Sequence, residues 1–435
     1  MALSPTYRRV KTVPGSCWTC KSRRIRCDLT KPICRHCIGV GATCEYAQNT
    51  SKRSLRPVPN VPISFQPIAF PRGLNNTSED KAILYFHGRL WPLLTVLDQP
   101  SSPPLQSVVD DLVVCSATCL LAESHRFLQD RRNAPPDTIG KRKECIEAVN
   151  MELDRCSAGN TVGMRSLLFA ILLLNFYEGY IECSKLSYPT LIHHNGIQAT
   201  IDAMGGLQRV LTQEHRSLQV LISLFATADL TTKMLRGSVP SLAPVSWRLF
   251  KPDSVWWHEH LSDDASTLLP SLGGIFEQIS NILIYRKSLI DNSATLSMSR
   301  IKDFEEALQP LYSPFTFADL TRLDVPTNSE LISHHAFLRA YQHTVLIYLY
   351  REVCGLPIGH PIVQQHVNGC LDAIDMVPRR SKTLNCLVFP LLVAGSHSRA
   401  VLRRRQVLRI LIAIQSERKF ISLQQIIEFS QSFWG

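Results

Sequence analysis

Apolar side chains recur at helical spacing along most of the chain from about Glu79 onward. Between Leu105 and Arg132 their spacing is close to i, i+4, i+7, which places them on one face of a helix; they are Val108, Leu112, Cys115, Cys119, Leu120 and Phe127. Similar patterns predict helices near 136–156, 161–182, 190–212, 215–236, 272–291, 361–376 and 386–416. The segment 327–330 has the capping-box pattern that begins another helix. Because strand-like alternation is rare, we predict one large all-α domain over residues 78–435.

A proline-rich stretch separates this domain from the beginning of the sequence. Prolines recur at positions 57, 59, 62, 67 and 71, and a polar segment with a glycine, 73–77, follows them. Each proline lacks a backbone N–H donor and restrains the residue before it, so a regular helix or a paired strand is not expected here. We predict an extended, semi-rigid linker over residues 47–77.

The charge of the chain is concentrated ahead of this linker. Residues 1–60 contain twelve Lys or Arg and two acidic residues, whereas the remaining 375 residues contain 35 basic and 34 acidic ones. Residues 1–13 form a basic tail, and six of the fourteen cysteines lie between positions 17 and 44. A basic, cysteine-dense segment on a nearly neutral body indicates an anionic polymer as partner, with double-stranded DNA as the leading candidate.

Two observations argue against a secreted or membrane protein. The first fifteen residues contain charge and no apolar h-region, so we expect no secretory signal. The longest run of large apolar residues, Leu167 to Leu174, is less than half of what a membrane-spanning helix needs. We therefore expect a reducing compartment, in which cysteines serve as metal ligands more readily than as disulfides.

The six cysteines have the spacing C-x2-C-x6-C-x6-C-x2-C-x6-C; they are Cys17, Cys20, Cys27, Cys34, Cys37 and Cys44. Thiolates suit Zn²⁺, and one tetrahedral site would use four of them and leave two without a role. Six sulfurs can supply the eight positions of two zinc ions if two sulfurs bridge. Two other interpretations of this segment remain. The cysteines could form a disulfide scaffold, or they could bind zinc in a protein-interaction module whose basic residues form only a solvated surface. A segment of about 30 residues with few large apolar groups needs the metal in order to fold.

This pattern resembles the fungal Zn2Cys6 binuclear-cluster transcription factors, with all six cysteines and all their spacings matching. The resemblance implies that residues 14–46 form a DNA-binding domain with two Zn²⁺ per chain, in which Cys17 and Cys34 bridge the metals and Pro32 lies in the loop between the halves. It also implies that the basic run 21–26 reads a CGG triplet, with Arg24 at the base-reading position where the family usually has Lys. Arginine can bind guanine O6 and N7 with two hydrogen bonds. We expect base contacts from Arg24 and Lys21, and phosphate contacts from Arg23, Arg26, Lys31 and Arg35.

The remainder of the chain looks like the fungal-specific transcription factor domain, which is regulatory in that family. The resemblance rests on Gly205-Gly206-Leu207, on the segment from Leu235 to Pro240, and on the segment from Val388 to Gly395. We therefore expect a small zinc-cluster domain followed by a large all-α regulatory domain. The protein would be a nuclear, sequence-specific DNA-binding regulator of RNA polymerase II genes that belong to a metabolic or secondary-metabolite gene set. The alternative is a zinc-dependent protein-interaction or repressor subunit with little direct DNA binding.

The rest of the sequence gives expectations about dimerisation, about its histidines and about enzymatic activity. From Glu45 to Arg72 there are no sustained a/d heptads, so we expect any homodimer to form through the helical domain. The histidines of 258–260, 193–194 and 334–335 are expected to serve packing rather than metal binding. No G-x-S-x-G, H-E-x-x-H or kinase motif is present in the sequence, so we expect no enzymatic activity.

Overall fold

The computed structural model divides the chain into two compact units, residues 1–68 and 69–435, which we name the cluster unit and the helical unit. Their boundary falls inside the predicted linker. The structure describes residues 16–17, 19–20, 25–31, 34–40, 44, 77–96, 102–130, 137–157, 163–183, 188–257, 271–292, 295–308, 328–379 and 381–434.

Sixteen α-helices are described, one in the cluster unit and fifteen in the helical unit. They are α1 (Arg35–Ile38), α2 (Ser78–Tyr85), α3 (Leu105–Val109), α4 (Leu112–Gln129), α5 (Thr138–Ser157), α6 (Met164–Phe176), α7 (Tyr188–Ala203), α8 (Leu207–Gln213), α9 (Arg216–Arg236), α10 (Leu272–Asp291), α11 (Met298–Leu308), α12 (Asn328–Tyr348), α13 (Pro361–Met376), α14 (Val388–His397), α15 (Val401–Arg418) and α16 (Ile421–Trp434). Within the described residues there is no strand, which confirms the predicted all-α class.

Three predicted helices are interrupted. The stretch 386–416 is two helices, Val388–His397 and Val401–Arg418. For the other two, the sequence contains the reason. The stretch from Leu105 to Arg132 is two helices, because the Asp111 carboxylate accepts hydrogen bonds from the backbone N–H of Val113 and of Val114 and so caps a new helix. The stretch 190–212 divides into α7 and α8 at Gly205 and Gly206, whose φ values are +95° and +89°. Left-handed backbone of this kind favours glycine.

Three helices of the helical unit continue directly into a π-helical turn. These turns are Phe86–Leu90 after α2, Tyr177–Glu182 after α6, and Leu349–Val353 after α12. The second of them carries the Tyr180 side chain, which packs against Phe176 of the preceding α-helical segment with ring centroids 4.4 Å apart. This turn and the helix before it form one wall of a cavity described below.

The helical unit has one continuous apolar core. Helix α4 packs against α2, α5 and α6; α6 also packs against α7 and α9; and α12 packs against α13 and α14. The last helix, α16, packs against α14, α15 and the π turn that follows α6. The C-terminal helices therefore close the bundle onto a helix from its first half.

Two buried tryptophans in this core have their indole N–H groups satisfied by small side chains. Trp247 Nε1 donates to Ser280 Oγ at 3.0 Å, and Trp256 Nε1 donates to Thr227 Oγ1 at 3.1 Å. Such pairing allows an indole to be buried without the cost of an unmatched N–H.

Two helical segments are long and apolar enough to cross a membrane, Met164–Glu182 and Arg216–Arg236. In each of them 67% of the most apolar window is buried inside the fold. A core helix of a water-soluble bundle has the same length and composition, so these two segments are accounted for by the packing described above.

Candidate metal centre and nucleic-acid interface

Short turns bring the cysteines of each C-x2-C pair together. The backbone N–H of Cys20 points at Cys17 Sγ, 3.4 Å away. In the second half Cys34 precedes helix α1, and its carbonyl accepts a hydrogen bond from the N–H of Cys37 at 3.0 Å. One helical turn therefore places Cys37 beside Cys34, which is what the two-residue spacing requires.

The six sulfurs form two sets of four that share two members. Cys17, Cys20, Cys27 and Cys34 form one set, and Cys17, Cys34, Cys37 and Cys44 form the other, with all Sγ atoms of a set within 4.8 Å of one another. The shared pair, Cys17 Sγ and Cys34 Sγ, is 3.9 Å apart. Among the described residues, no other group of three or more His, Cys, Asp or Glu side chains has this geometry.

These cysteines are also the core of the cluster unit. Cys17, Cys20, Cys27, Cys34 and Cys37 are 0–3% exposed, and the hydrophobic side chains that pack against them in the described residues are Ile25 and Cys44. So small an apolar cluster cannot offset the conformational entropy that folding removes. Metal binding is the term that would stabilise this fold.

One carboxylate connects the two halves of the cluster unit. Asp28 Oδ2 accepts a hydrogen bond from Thr30 Oγ1 at 2.7 Å and another from the backbone N–H of Arg35 at 3.1 Å. These bonds lower the pKa of Asp28, the Thr30 hydroxyl being the larger cause. Between Asp28 and Thr30, Leu29 has a left-handed φ of +62°, which is unusual for a residue other than glycine. Asp28 thus holds a strained turn next to the first residue of α1.

The thiols differ in how readily they ionise. Burial alone would raise the pKa of Cys17, but hydrogen bonds from the Cys20 N–H and from neighbouring thiols outweigh it and lower the pKa to about 6. Burial raises the pKa of Cys20, and raises the pKa of Cys37 to about 12. Because thiolate is the form that binds metal, a cation entering this site must displace protons from most of the ligands.

The donor set fits Zn²⁺. Zinc takes four ligands in tetrahedral arrangement and accepts thiolate sulfur without imposing a further geometric preference. Each set of four sulfurs can supply one such shell, and the shared pair Cys17 and Cys34 would contribute to both.

Three of the six predicted DNA-contacting residues are described, and all three are on the surface of the cluster unit. Arg26, Lys31 and Arg35 are exposed, while the cysteines between them are buried. Lys21, Arg23 and Arg24 lie outside the described residues, as does Pro32.

The histidines of 193–194, which were predicted to serve packing, contact buried carboxylates of the helical unit. His193 Nε2 lies 3.1 Å from Glu178 Oε2, and His194 Nδ1 lies 3.3 Å from Asp229 Oδ1. Burial alone would raise the pKa of each carboxyl group, yet the histidine contacts, joined for Glu178 by Arg142, lower both pKa values. The histidines of 258–260 lie outside the described residues.

Sequence reasoning missed a second histidine contact. His343 Nδ1 of α12 and His366 Nδ1 of α13 are 3.0 Å apart. Burial lowers the pKa of His343 to about 3 and also lowers that of His366. The two residues are on different helices, so no local spacing in the sequence points to their contact.

Comparisons with known proteins agree with this division of the chain. The family model described as the fungal Zn(2)-Cys(6) binuclear cluster domain matches residues 15–53, and the one described as the fungal specific transcription factor domain matches residues 82–435. The transcriptional regulatory protein moc3 of Schizosaccharomyces pombe is 47% identical over 47 residues, which are 11% of this chain and 9% of that protein. An uncharacterized transcriptional regulatory protein of the same organism is 33% identical over 182 residues, 38% of this chain and 30% of that protein. The matched parts therefore span less than a third of either relative. No solved structure matches the chain.

Proposed function

We propose, from the premise that this chain belongs to the fungal-specific transcription factor family, that it is a nuclear regulator of RNA polymerase II genes. Two zinc ions would hold its cluster unit, and the cations around the cluster would bind DNA. The observation that carries the proposal is the pair of four-sulfur sets sharing Cys17 and Cys34. The helical unit would regulate this activity, and the genes would belong to a metabolic or secondary-metabolite set. The proposal assigns no enzymatic activity to the chain.

Each zinc ion would be held by one set of sulfurs, with Cys17 and Cys34 bridging. Zinc supplies no redox chemistry in such a site; it fixes the backbone around the ligands. Six thiolates and two Zn²⁺ leave a net charge of about −2, calculated from the formal charges of thiolate and Zn²⁺. The exposed cations Arg26, Lys31 and Arg35 would more than compensate for this charge at the surface.

These cations support binding to a polyanion. We expect Arg23, Arg26, Lys31 and Arg35 to contact phosphates, because their spacing around the cysteines places positive charge on both halves of the cluster. Arg24, with Lys21, would read bases in the major groove, where an arginine fork matches guanine O6 and N7. A CGG-type half-site is the expected sequence.

The test of phosphate binding is the salt dependence of the affinity for random duplex DNA, measured with the zinc-loaded full chain. Each phosphate contact contributes about −0.9 to the slope of log K against log salt. Arg35→Ala should therefore weaken binding to every sequence alike and reduce the slope by about one. Arg409→Ala removes an exposed arginine from α15 in the helical unit and is the matched control, for which we expect no change.

The test of base reading is Arg24→Ala on a CGG-containing site and on random DNA. Losing a bidentate guanine contact costs about 1–3 kcal/mol on the preferred site and little on random DNA. Equal losses on both would show that Arg24 contacts only phosphate. If the zinc-loaded wild-type chain shows no salt-dependent binding at all, the chain is a protein-interaction module and the proposed function is wrong.

A further inference from the structure

The helical unit contains a cavity of about 270 Å³ at the place where the C-terminal helices close onto α6. Helix α9 lines it with Leu224 and Ala228, which lie on the same face of the helix. Helix α14 contributes Phe389, and α16 contributes Ile426. None of these residues belongs to the cluster unit, and the metal centre described above makes no use of the cavity.

One end of the cavity is an aromatic corner. Phe176 and Tyr180 stack with their ring centroids 4.4 Å apart, and the Phe420 ring meets Phe176 edge-on at 5.6 Å and Tyr180 at 6.0 Å. Flat aromatic walls of this kind favour a flat apolar body as occupant, since rings pair in stacked and edge-to-face arrangements.

The same corner holds a cation that has no carboxylate partner within the described part of the chain. Arg418 is half-buried and lines the cavity, with its guanidinium carbon 5.9 Å from the centroid of the Phe420 ring. Among the described residues, its buried Nε has no hydrogen-bond partner and no carboxylate forms an ion pair with it; the guanidinium does form a hydrogen bond with the Cys386 thiol. A buried, incompletely solvated guanidinium is costly unless an acceptor meets it.

The backbone of this arginine is fixed from outside the cavity. Its carbonyl oxygen accepts a hydrogen bond at 2.8 Å from Nε2 of His125, on α4. The carbonyl of the preceding residue, Glu417, accepts one at 3.1 Å from Gln129 Nε2 of the same helix. The turn between α15 and α16 is therefore held in place, and the guanidinium is presented to the cavity by a rigid support.

We propose that this cavity binds a small organic carboxylate whose apolar body is about the size of one aromatic ring. A cavity of about 150 Å³ lined by apolar side chains accepts one benzene ring, so 270 Å³ has room for a ring and a short acidic side chain. The ring would lie against Phe176, Tyr180 and Phe420, and the carboxylate would pair with Arg418, whose planar fork matches it. The site goes beyond the proposed DNA binding and does not depend on it.

The test is calorimetric titration of the zinc-loaded full chain with phenylacetate, 4-hydroxybenzoate and hexanoate, and with phenylacetamide as the neutral counterpart of the first. We expect at least one acid to bind with a Kd below about 1 mM. Phenylacetamide should bind about 10-fold more weakly than phenylacetate, or worse, because it cannot form the charge-assisted pair. Inorganic phosphate should not bind, since it has no apolar body to fill the cavity.

Two variants with matched controls assign the binding to this cavity. Arg418→Gln should abolish the preference for the acid over the amide, whereas Arg409→Gln, an exposed arginine on the same helix, should preserve it. Ala228→Phe should fill the cavity and remove binding of all probes, whereas Ala413→Phe, at an exposed position on α15, should not. Circular dichroism of each variant verifies that the helical unit is folded.

Failure of all three acids to bind at concentrations up to about 5 mM would overturn the proposal. So would equal binding of phenylacetate and phenylacetamide, or binding that survives Ala228→Phe in a folded protein. DNA binding by the same preparation, measured separately, shows whether the proposed function stands whatever the cavity does.

Discussion

Replacing a shared cysteine should damage both zinc sites, whereas replacing an unshared one should damage a single site. Cys34 belongs to both sets of four sulfurs, and Cys44 belongs to one. Cys34→Ser and Cys44→Ser both replace a cysteine by a serine, and they differ chiefly in the number of sulfur sets that lose a member. Serine keeps the approximate shape of cysteine and removes the thiolate that zinc prefers.

The size of the effect follows from the number of ligand positions. Structural zinc sites in small domains bind with about 10–16 kcal/mol, or about 2.5–4 kcal/mol for each of four sulfurs. At about 1.4 kcal/mol per tenfold, loss of one position raises the Kd of an ion by about 60- to 700-fold. Cys44→Ser removes one position from one ion. Cys34→Ser removes one position from each of the two ions, so both affinities should fall.

The assay is zinc content by elemental analysis after dialysis against a chelator of intermediate affinity, alongside circular dichroism to follow the helical unit. We expect about two zinc ions per wild-type chain, about one for Cys44→Ser and close to none for Cys34→Ser. The helical unit should retain its helical signal in all three, because its core contains none of the six cysteines. One zinc ion per wild-type chain, or equal zinc contents for the two variants, would refute the reasoning from shared sulfurs.

Three further results are expected. Asp28→Ala removes the acceptor that connects Thr30 to the Arg35 N–H, so zinc transfer from the cluster to a chelator should be faster than in the wild type. Asp28→Asn keeps an acceptor and should have a smaller effect. Equal transfer rates for Asp28→Ala and the wild type would count against this role of Asp28. The folded state holds His343 neutral with its pKa at about 3, whereas the unfolded chain protonates it near 6.5, so its contribution to stability is complete above about pH 6.5 and is lost as the pH falls. At pH 5 this loss is about 2 kcal/mol of the free energy of unfolding. In urea unfolding of the full chain, His343→Gln should reduce the difference in free energy of unfolding between pH 7.5 and pH 5 by that amount. An unchanged difference would contradict the prediction. Isolated residues 1–77, which contain no sustained heptads, should sediment as a monomer and bind a single half-site weakly; a stable dimer at micromolar concentration would reveal an overlooked dimerisation element.

Helix positions followed from the sequence wherever the apolar spacing was regular. The predicted helices 272–291 and 361–376 coincide with α10 (Leu272–Asp291) and α13 (Pro361–Met376). Spacing alone did not show that Asp111 begins a new helix, because an apolar periodicity contains no information on which polar side chain caps the backbone. It also did not find α11 (Met298–Leu308) or α16 (Ile421–Trp434), both of which lie within the single predicted domain.

The two candidate sites differ in how far the sequence could reveal them. The metal ligands lie within 28 consecutive residues, Cys17 to Cys44, and their spacing alone brings them together. The cavity depends on Tyr180 and Arg418, which are far apart in the sequence and meet only after the last helices pack against α6. Nothing in the local sequence around Arg418 distinguishes it from the other arginines of α15. Sites built from local turns can be predicted from spacing, and sites built by tertiary packing cannot.

The separate cores of the two units have a consequence for the protein inside a cell. Within the described residues, no side chain belongs to both the sulfur-rich core and the helical core. The first core would need metal to be stable, whereas the second is held by apolar burial that does not respond to metal supply. When zinc is scarce, copies of the chain would therefore persist with a folded helical unit and an unfolded cluster unit. Such copies would still engage whatever the helical unit binds, and would compete with intact copies while contributing nothing to any activity of the cluster. Because the zinc-free copies would compete with the intact ones, any activity of the cluster unit would fall more steeply with falling zinc than the loss of intact copies alone would explain.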